Sequence, residues 1–302
     1  MVTKRLIQNS ICQSTKKSYI KSANKFNNFV NYYYHKDCSF PVNFTHLQQF
    51  VAFLHCAKIQ PSSVQTILSA INFIQKSVDG PDIFQHFFIN RIMMGYKKLS
   101  ISHSDARQPI TVDILFQLCS AINHISTCTY TKILIQSMFL LSFYALLRVG
   151  EITVTSQLTP NPNLLMRDNL SICPSTGQVT VIFTAFKHSV PGSPTTLVIS
   201  PNSGLYSLPI TLANYLRQRG SLPGPLFLYK KAAVSRNFYN NILQQCLKFI
   251  GLDQSKYKTH SFRIGSATSA AERGISALQL QHMGRWRSNA YQKYIRIHSF
   301  KI

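Results

Sequence analysis

Three short β-prone runs, at 170–173, 179–184 and 196–199, stand in a chain otherwise patterned for helix. A Ser-Thr-Gly turn and a Pro/Gly/Ser-rich turn separate them, the punctuation expected between short antiparallel strands. So little strand supports only one small antiparallel sheet, so the rest of the chain must bury helix against helix. The fold class expected is mainly α with a small antiparallel β-sheet inserted in the second half.

The first hundred residues carry no such runs. Ser14 is placed to cap a helix in which Tyr19, Ala23, Phe26, Val30 and Tyr33 recur at helical spacing. Lys17, Lys21, Lys25 and Asn28 fall on another face of that helix, which reads equally as a solvated charged face or as a row of phosphate contacts. Further helical patterns cover 46–57 and the stretch from 62 or 63 to 76. The stretch 100–109, SISHSDARQP, is polar, has no hydrophobic periodicity and ends in Pro109, as a linker does. This divides the chain into a helical domain at 1–100, a linker at 101–109 and a second domain at 110–302, and 302 residues suffice for two cores. After the linker, Thr111 can cap a helix with Asp113 in its first turn, and a long apolar helix ends near Arg148. From 210 onward the pattern is helical, broken near 220–225, Gly251, Gly274 and Gly284.

Charge narrows the function. With 32 Lys+Arg against 9 Asp+Glu the formal net charge is +23, a field that draws in polyanions: nucleic acid or an anionic membrane. The longest apolar stretch, 133–147, is interrupted by Gln136, Ser137 and Ser142 and falls short of the roughly 20 residues a bilayer span needs. The opening MVTKRLIQNSIC has charge but no apolar run of a secretory signal. Cys12, Cys38, Cys56, Cys119, Cys128, Cys173 and Cys246 form no CxxC pair, and the ten histidines show no HExxH spacing. Reduced thiols and no metal are expected, in a nuclear protein if eukaryotic and otherwise a cytoplasmic, DNA-associated one.

Particular residues point to phosphate chemistry. Arg148 follows an almost wholly apolar helix, and Glu151, one of two glutamates, lies one turn away. Taken alone this is a buried ion pair. Between 256 and 296, however, eight Lys+Arg face a single acid, Glu272. There His260 and Arg263 are three apart at the start of a helical pattern over 261–272, so both side chains can address one spot. A phosphate suits it: arginine offers a two-pronged donor, the helix start adds partial positive charge, and histidine can move a proton. Trp286, the only tryptophan, and Tyr294 follow in the last helical segment.

Together these residues resemble the active site of the tyrosine recombinase (phage-integrase-like) family. Arg148, Glu151, Lys187, His260, Arg263, Trp286 and Tyr294 occur in the family's order, in the strings ALLRVGE, HSFRIG, GRW and YIR. FKHS, HSFRIGSAT and GRWRS are most similar to eukaryotic mobile-element recombinases of the DIRS/Ngaro or crypton type. The resemblance spans the chain, since an N-terminal helical core-binding domain joined by a linker is also the family's plan. It implies that Tyr294 attacks a DNA phosphodiester and forms a 3′-phosphotyrosyl link, without metal or nucleotide. Arg148 and Arg263 would clamp the non-bridging oxygens, Lys187 would protonate the departing 5′-oxygen and His260 would shuttle the tyrosine proton. Trp286 would donate to phosphate and Glu151 would orient Arg148 and hold His260. A phenol needs such electrostatic help to act as a nucleophile.

Two assignments stay open: Tyr291 sits three residues before Tyr294, and Lys230 and Lys231 are alternatives to Lys187. Lys258, Arg285 and Arg287 are expected to contact DNA with Lys17, Lys21 and Lys25. The implied partner is double-stranded DNA, bound by a homo-tetramer on synapsed sites. Only eight residues follow Tyr294, where many family members carry a further helix docked on the neighbouring protomer, which weighs against tight assembly. Two other readings share part of this pattern: a domesticated, catalytically inactive DNA-binding protein, and a monomeric type IB topoisomerase. Retention of all seven residues argues against the first, and the layout with HSFRIG and GRW argues against the second.

Overall fold

The structure, a computed structural model, describes residues 6–100 apart from residue 8, together with 105–159, 161–186, 192–202 and 205–296. The chain divides into two compact units, Met1–Ser104 and Asp105–Ile302. Among the described residues no helix is long and apolar enough to cross a membrane.

The first unit is built on α1 (Gln13–Tyr34), α2 (Phe44–Cys56), α3 (Pro61–Lys76) and α4 (Phe87–Leu99). The N-cap of α1 is Cys12 in extended conformation, and Ser14 already lies in the first turn, so the expected Ser14 cap is not formed. The buried stripe of α1 is Ser22, Phe26, Phe29 and Val30; Tyr33 lies outside it, edge-packed on Phe53 at 5.9 Å. Phe26, Phe29 and Phe50 form the centre of this core, with ring centroids about 5 Å apart. Asn43 caps α2 by accepting from the Thr45 and His46 amides, and Pro61 starts α3, where no intrahelical donor is lost. Buried Gln75 accepts from the Val42 amide at 2.8 Å and buried Asn72 from the Ile83 amide at 2.8 Å, so both hold loops onto the core. Lys17, Lys21, Lys25 and Asn28 are exposed.

In the second unit, Thr111 caps α5 (Val112–Ile125) through the Ile114 amide, with Asp113 in the first turn. Next comes α6 (Thr129–Tyr144), buried on every side between 134 and 143. The polar residues that interrupt its apolar run are its ties to neighbours. Gln136 donates to the Cys119 carbonyl at 2.8 Å, Ser137 to the Thr211 carbonyl at 3.3 Å, and the Ser142 hydroxyl meets that of Tyr239 at 3.0 Å. A segment too short for a bilayer is thus a core helix, packed by α5, by α8 (Leu208–Arg219) and by α10 (Ser261–Glu272).

Contrary to expectation, α6 does not run to Arg148. It stops at Tyr144 because Leu146 turns into the left-handed region at φ 46°, and Arg148 instead opens the short helix α7 (Val149–Ile152).

The sheet orders β1 (Leu170–Ile172), β2 (Val179–Phe183) and β3 (Thr195–Ile199) side by side, antiparallel, with Leu170 opposite Val181 and Thr180 opposite Val198. Val179, Val181 and Phe183 alternate inward, giving β2 its buried face. Lys187 lies outside the described residues.

A second, two-stranded hairpin, β4 (Leu228–Tyr229) and β5 (Ala232–Ala233), interrupts what the pattern from 210 presents as helix. Its turn is Lys230–Lys231, both at positive φ (50° and 64°). That conformation normally signals itself through Asn or Gly, and two lysines hide it. The chain then forms α9 (Arg236–Phe249), α10, α11 (Ala277–Gly284) and a 3-10 turn, Asn289–Tyr294. Ser276 and Gln279 close a capping box at the start of α11.

Candidate active site

α10 supplies the floor of the site. Its first eight residues, from Ser261 to Thr268, are all buried, and most are small. Gly265 shows why: a Cβ there would lie 1.8 Å from the Ile110 carbonyl oxygen. The stretch before α5 is laid along this helix, with the Gln108 amide on the Lys256 carbonyl at 2.8 Å and the Ile110 amide on the Ser261 carbonyl at 3.1 Å. Across α10, the Thr268 hydroxyl donates to the Tyr294 carbonyl at 3.2 Å and accepts from the Arg296 amide at 3.1 Å. Gly284 lets Trp286 fold back over α11, since a Cβ at that position would meet the indole at 1.8 Å.

These supports bring Arg148, Glu151, His260, Arg263, Trp286 and Tyr294 into one cluster. The Tyr294 ring lies 5.0 Å from that of His260 and 5.0 Å from that of Trp286. The Arg263 guanidinium sits 4.2 Å over Trp286 and 5.4 Å over Tyr294. It is fully buried and donates to the carbonyls of Leu146 and Gly284. Buried Glu151 accepts from the Arg148 guanidinium at 3.2 Å and from the Arg148 amide at 2.9 Å. Tyr291 is buried, with its ring 6.5 Å from that of Trp286; Tyr294 is the partly accessible tyrosine of the two.

Arg285 departs from expectation. Its side chain is only 1% exposed, so it does not present itself to DNA. It turns inward to pair with Glu151 at 2.9 Å, donates to the carbonyls of Ala145, Leu146 and Met283, and stacks 3.7 Å over Phe183. A carboxylate already buried draws the nearer guanidinium to it. Lys258 and Arg287 are exposed, as are Lys230 and Lys231 at the tip of the second hairpin.

Sequence reasoning missed Asp105, Arg107 and Arg296. Asp105 receives the Arg107 fork at 2.7 and 2.8 Å and the Arg296 guanidinium at 3.1 Å, tying the start of this unit to the segment after Tyr294. The only available signal was an acid in an acid-poor chain, inside a stretch that reads as linker.

Electrostatically the cluster is short of negative charge. Burial, the charges of Arg107 and Arg263 and, more weakly, that of Arg148 push the His260 imidazole down to about 4, with Asp105 opposing, so it is neutral at pH 7. Burial also bears on Arg263, reinforced by Arg148 and Arg285 and relieved only partly by Glu151. Arg148 and Arg285 thus share the Glu151 carboxylate, while the third guanidinium, that of Arg263, donates to carbonyls instead. The Trp286 indole N–H and the Nε groups of Arg263 and Arg285 are buried without a hydrogen-bond partner, each leaving a donor whose burial costs about 1–3 kcal/mol. An anion with several acceptor oxygens, such as a phosphodiester, would offset the excess positive charge.

No family model and no curated protein matches the sequence. Solved structures do match the fold. The Tn1549 transposon integrase in complex with transposon right end DNA superposes with a TM-score of 0.65 at 10% identity, over 99% of this chain and 94% of that one. Lambda integrase bound to DNA gives 0.60 at 14% identity over 96% and 91%. The XerH site-specific recombinase in a post-cleavage complex with a palindromic difH substrate gives 0.57 at 14% identity over 84% and 68%.

Proposed function

We propose, from a fold that is that of the tyrosine recombinases, that this chain cuts and rejoins double-stranded DNA through a phosphotyrosyl intermediate formed on Tyr294. The observation that carries the reading is the cluster itself: a partly accessible tyrosine beside a neutral histidine, facing guanidiniums that outnumber their carboxylate.

In the proposed reaction the Tyr294 oxygen attacks the scissile phosphorus, a P–O bond to tyrosine forms, and the P–O5′ bond breaks. His260, neutral, accepts the phenolic proton. Arg148 and Arg263 meet the non-bridging oxygens, and the free Trp286 N–H adds a further donor to the charge that builds there. The departing 5′-oxygen takes a proton from Lys187, with Lys230 and Lys231 as alternatives. Glu151 keeps Arg148 oriented. Because the phosphotyrosyl bond retains the energy of the broken linkage, religation reverses these steps. Lys17, Lys21 and Lys25 on α1, with Lys258 and Arg287, meet backbone phosphates, each neutralised phosphate adding about −0.9 to the log–log salt slope of binding. Integration or excision of a mobile element, by a tetramer on synapsed DNA, is the use this chemistry fits.

The test is incubation of the purified protein with a pool of randomised, nicked duplexes, followed by a search for an SDS-resistant protein–DNA adduct. The adduct is expected from the wild type and absent from Tyr294→Phe. An adduct that survives in Tyr294→Phe and disappears in Tyr291→Phe would reassign the nucleophile. Salt-sensitive DNA binding without any adduct would replace this reading with a non-catalytic DNA-binding one.

A further inference from the structure

Arg285 is an arginine the proposed chemistry does not use, and its Nη1 and Nη2 groups are tied to the protein while its Nε has no partner. Its guanidinium is buried, donates to three carbonyls and one carboxylate oxygen, and is backed by the Phe183 ring. The carboxylate is that of Glu151. The two oxygens of that carboxylate are used differently. Oε2 takes the Arg285 guanidinium and the Arg148 backbone amide, both at 2.9 Å, whereas Oε1 takes a single contact from the Arg148 guanidinium at 3.2 Å. Arg148 therefore spends one of its five N–H donors on Glu151 and does not close the two-pronged pair that arginine and carboxylate ordinarily form. Its side chain is 23% exposed against 1% for Arg285, so of the two cations on Glu151 it is the one that opens outward.

We propose that Arg285 is a positioning residue that takes up the charge of Glu151 and so leaves the Arg148 guanidinium free for a phosphate. The inference rests on the recombinase reading above and deepens it. Without Arg285, the only cation hydrogen-bonded to a buried carboxylate is Arg148, and a buried carboxylate with a single partner claims that partner fully. The Leu146 carbonyl accepts from both Arg285 and Arg263 and so links the two buried guanidiniums.

The experiment compares the wild type with Arg285→Met, Arg285→Lys and the double variant Arg285→Met/Glu151→Gln. Two readouts are taken: single-turnover adduct formation on a nicked duplex, and labelling of Arg148 by phenylglyoxal in the free protein, followed by peptide mass spectrometry. Arg285→Met is expected to slow cleavage about 100-fold, with DNA affinity nearly unchanged and Arg148 labelled several-fold more slowly. Removing the acid as well, in the double variant, is expected to restore Arg148 labelling and about tenfold of the cleavage rate. Arg285→Lys keeps the charge without the fork, folds where the methionine variant does not, and is expected to cleave about tenfold more slowly than wild type. Wild-type rates in Arg285→Lys and Arg285→Met overturn the proposal. So does a double variant no better than Arg285→Met, which would leave Arg285 as a packing residue only. A wild type that forms no adduct overturns the recombinase reading instead, and the labelling ratio then decides the role of Arg285 on its own.

Discussion

Two buried helices of the second unit, α6 and α10, end up with opposite characters. Between 134 and 143, α6 fills its surroundings with large apolar side chains, and Gln136, Ser137 and Ser142 each make a hydrogen bond. α10 is as deeply buried but made largely of Ser, Gly, Ala and Thr around Arg263, whose Nε is left unpaired. Its small residues allow other backbone segments to come close: Ile110 over Gly265 and the Tyr294 segment over Thr268. One helix has every demand met within the protein; the other keeps charge and donors in reserve. Burial alone does not distinguish a scaffold from a site, whereas the balance of polar groups within the burial does.

The widest separation of the two should come from Arg263→Met. It removes a guanidinium that is fully buried among other cations, so adduct formation should fall by about 1,000-fold or more, while the melting temperature holds or rises, because apolar replacements of buried ionic clusters are often neutral or stabilising. A calorimetric scan beside the cleavage assay reads both. A large loss of stability would mean that Arg263 is a structural member like those of α6.

Phe139→Ala on α6 should do the reverse, lowering unfolding free energy by about 3–5 kcal/mol in urea titrations, with single-turnover cleavage by the folded fraction nearly unchanged. Equal losses in both would erase the distinction.

The smallest effect expected is one of pH. The buried stretch of α6 has no titratable group, whereas His260 opens α10 with its imidazole pushed down to about 4 against the ordinary 6.5. In that window the unfolded chain binds the proton and the folded chain does not, so stability should fall as pH drops from about 6.5 towards 4. His260→Asn should flatten this limb. An unchanged profile, or a His260 resonance in the free protein that titrates near 6.5 by NMR, would show that the site does not hold the imidazole neutral.

How much of this was legible depended on whether a residue's signal was local. The bounds of α10 and the three short strands follow from periodicity and turn residues and agree with the structure to within about a residue. The convergence of Arg148, Glu151, His260, Arg263, Trp286 and Tyr294 was legible because the strings around them resemble a known arrangement. Elsewhere the signal was absent or misleading. Leu146 breaks the chain's course at a positive φ without glycine, and Lys230–Lys231 make a tight turn with neither Asn nor Gly. Arg285 and Arg287 are two apart and alike in charge, yet one is buried and the other exposed. Only the bend after α6, which puts Glu151 and two carbonyls beside Arg285, separates them. Arg107 lay in a polar stretch held by backbone hydrogen bonds from Gln108 to Lys256 and from Ile110 to Ser261, and bonds of that kind leave no mark on composition.

The Thr268 hydroxyl holds the chain at Tyr294 and two residues beyond it through a carbonyl and an amide, groups that any residue but proline offers at those places. Such an anchor is blind to side-chain identity. Substitutions within the 3-10 turn before Tyr294 therefore leave this hold on the backbone in place, and the tyrosine's position is insulated from the side chains that lead up to it.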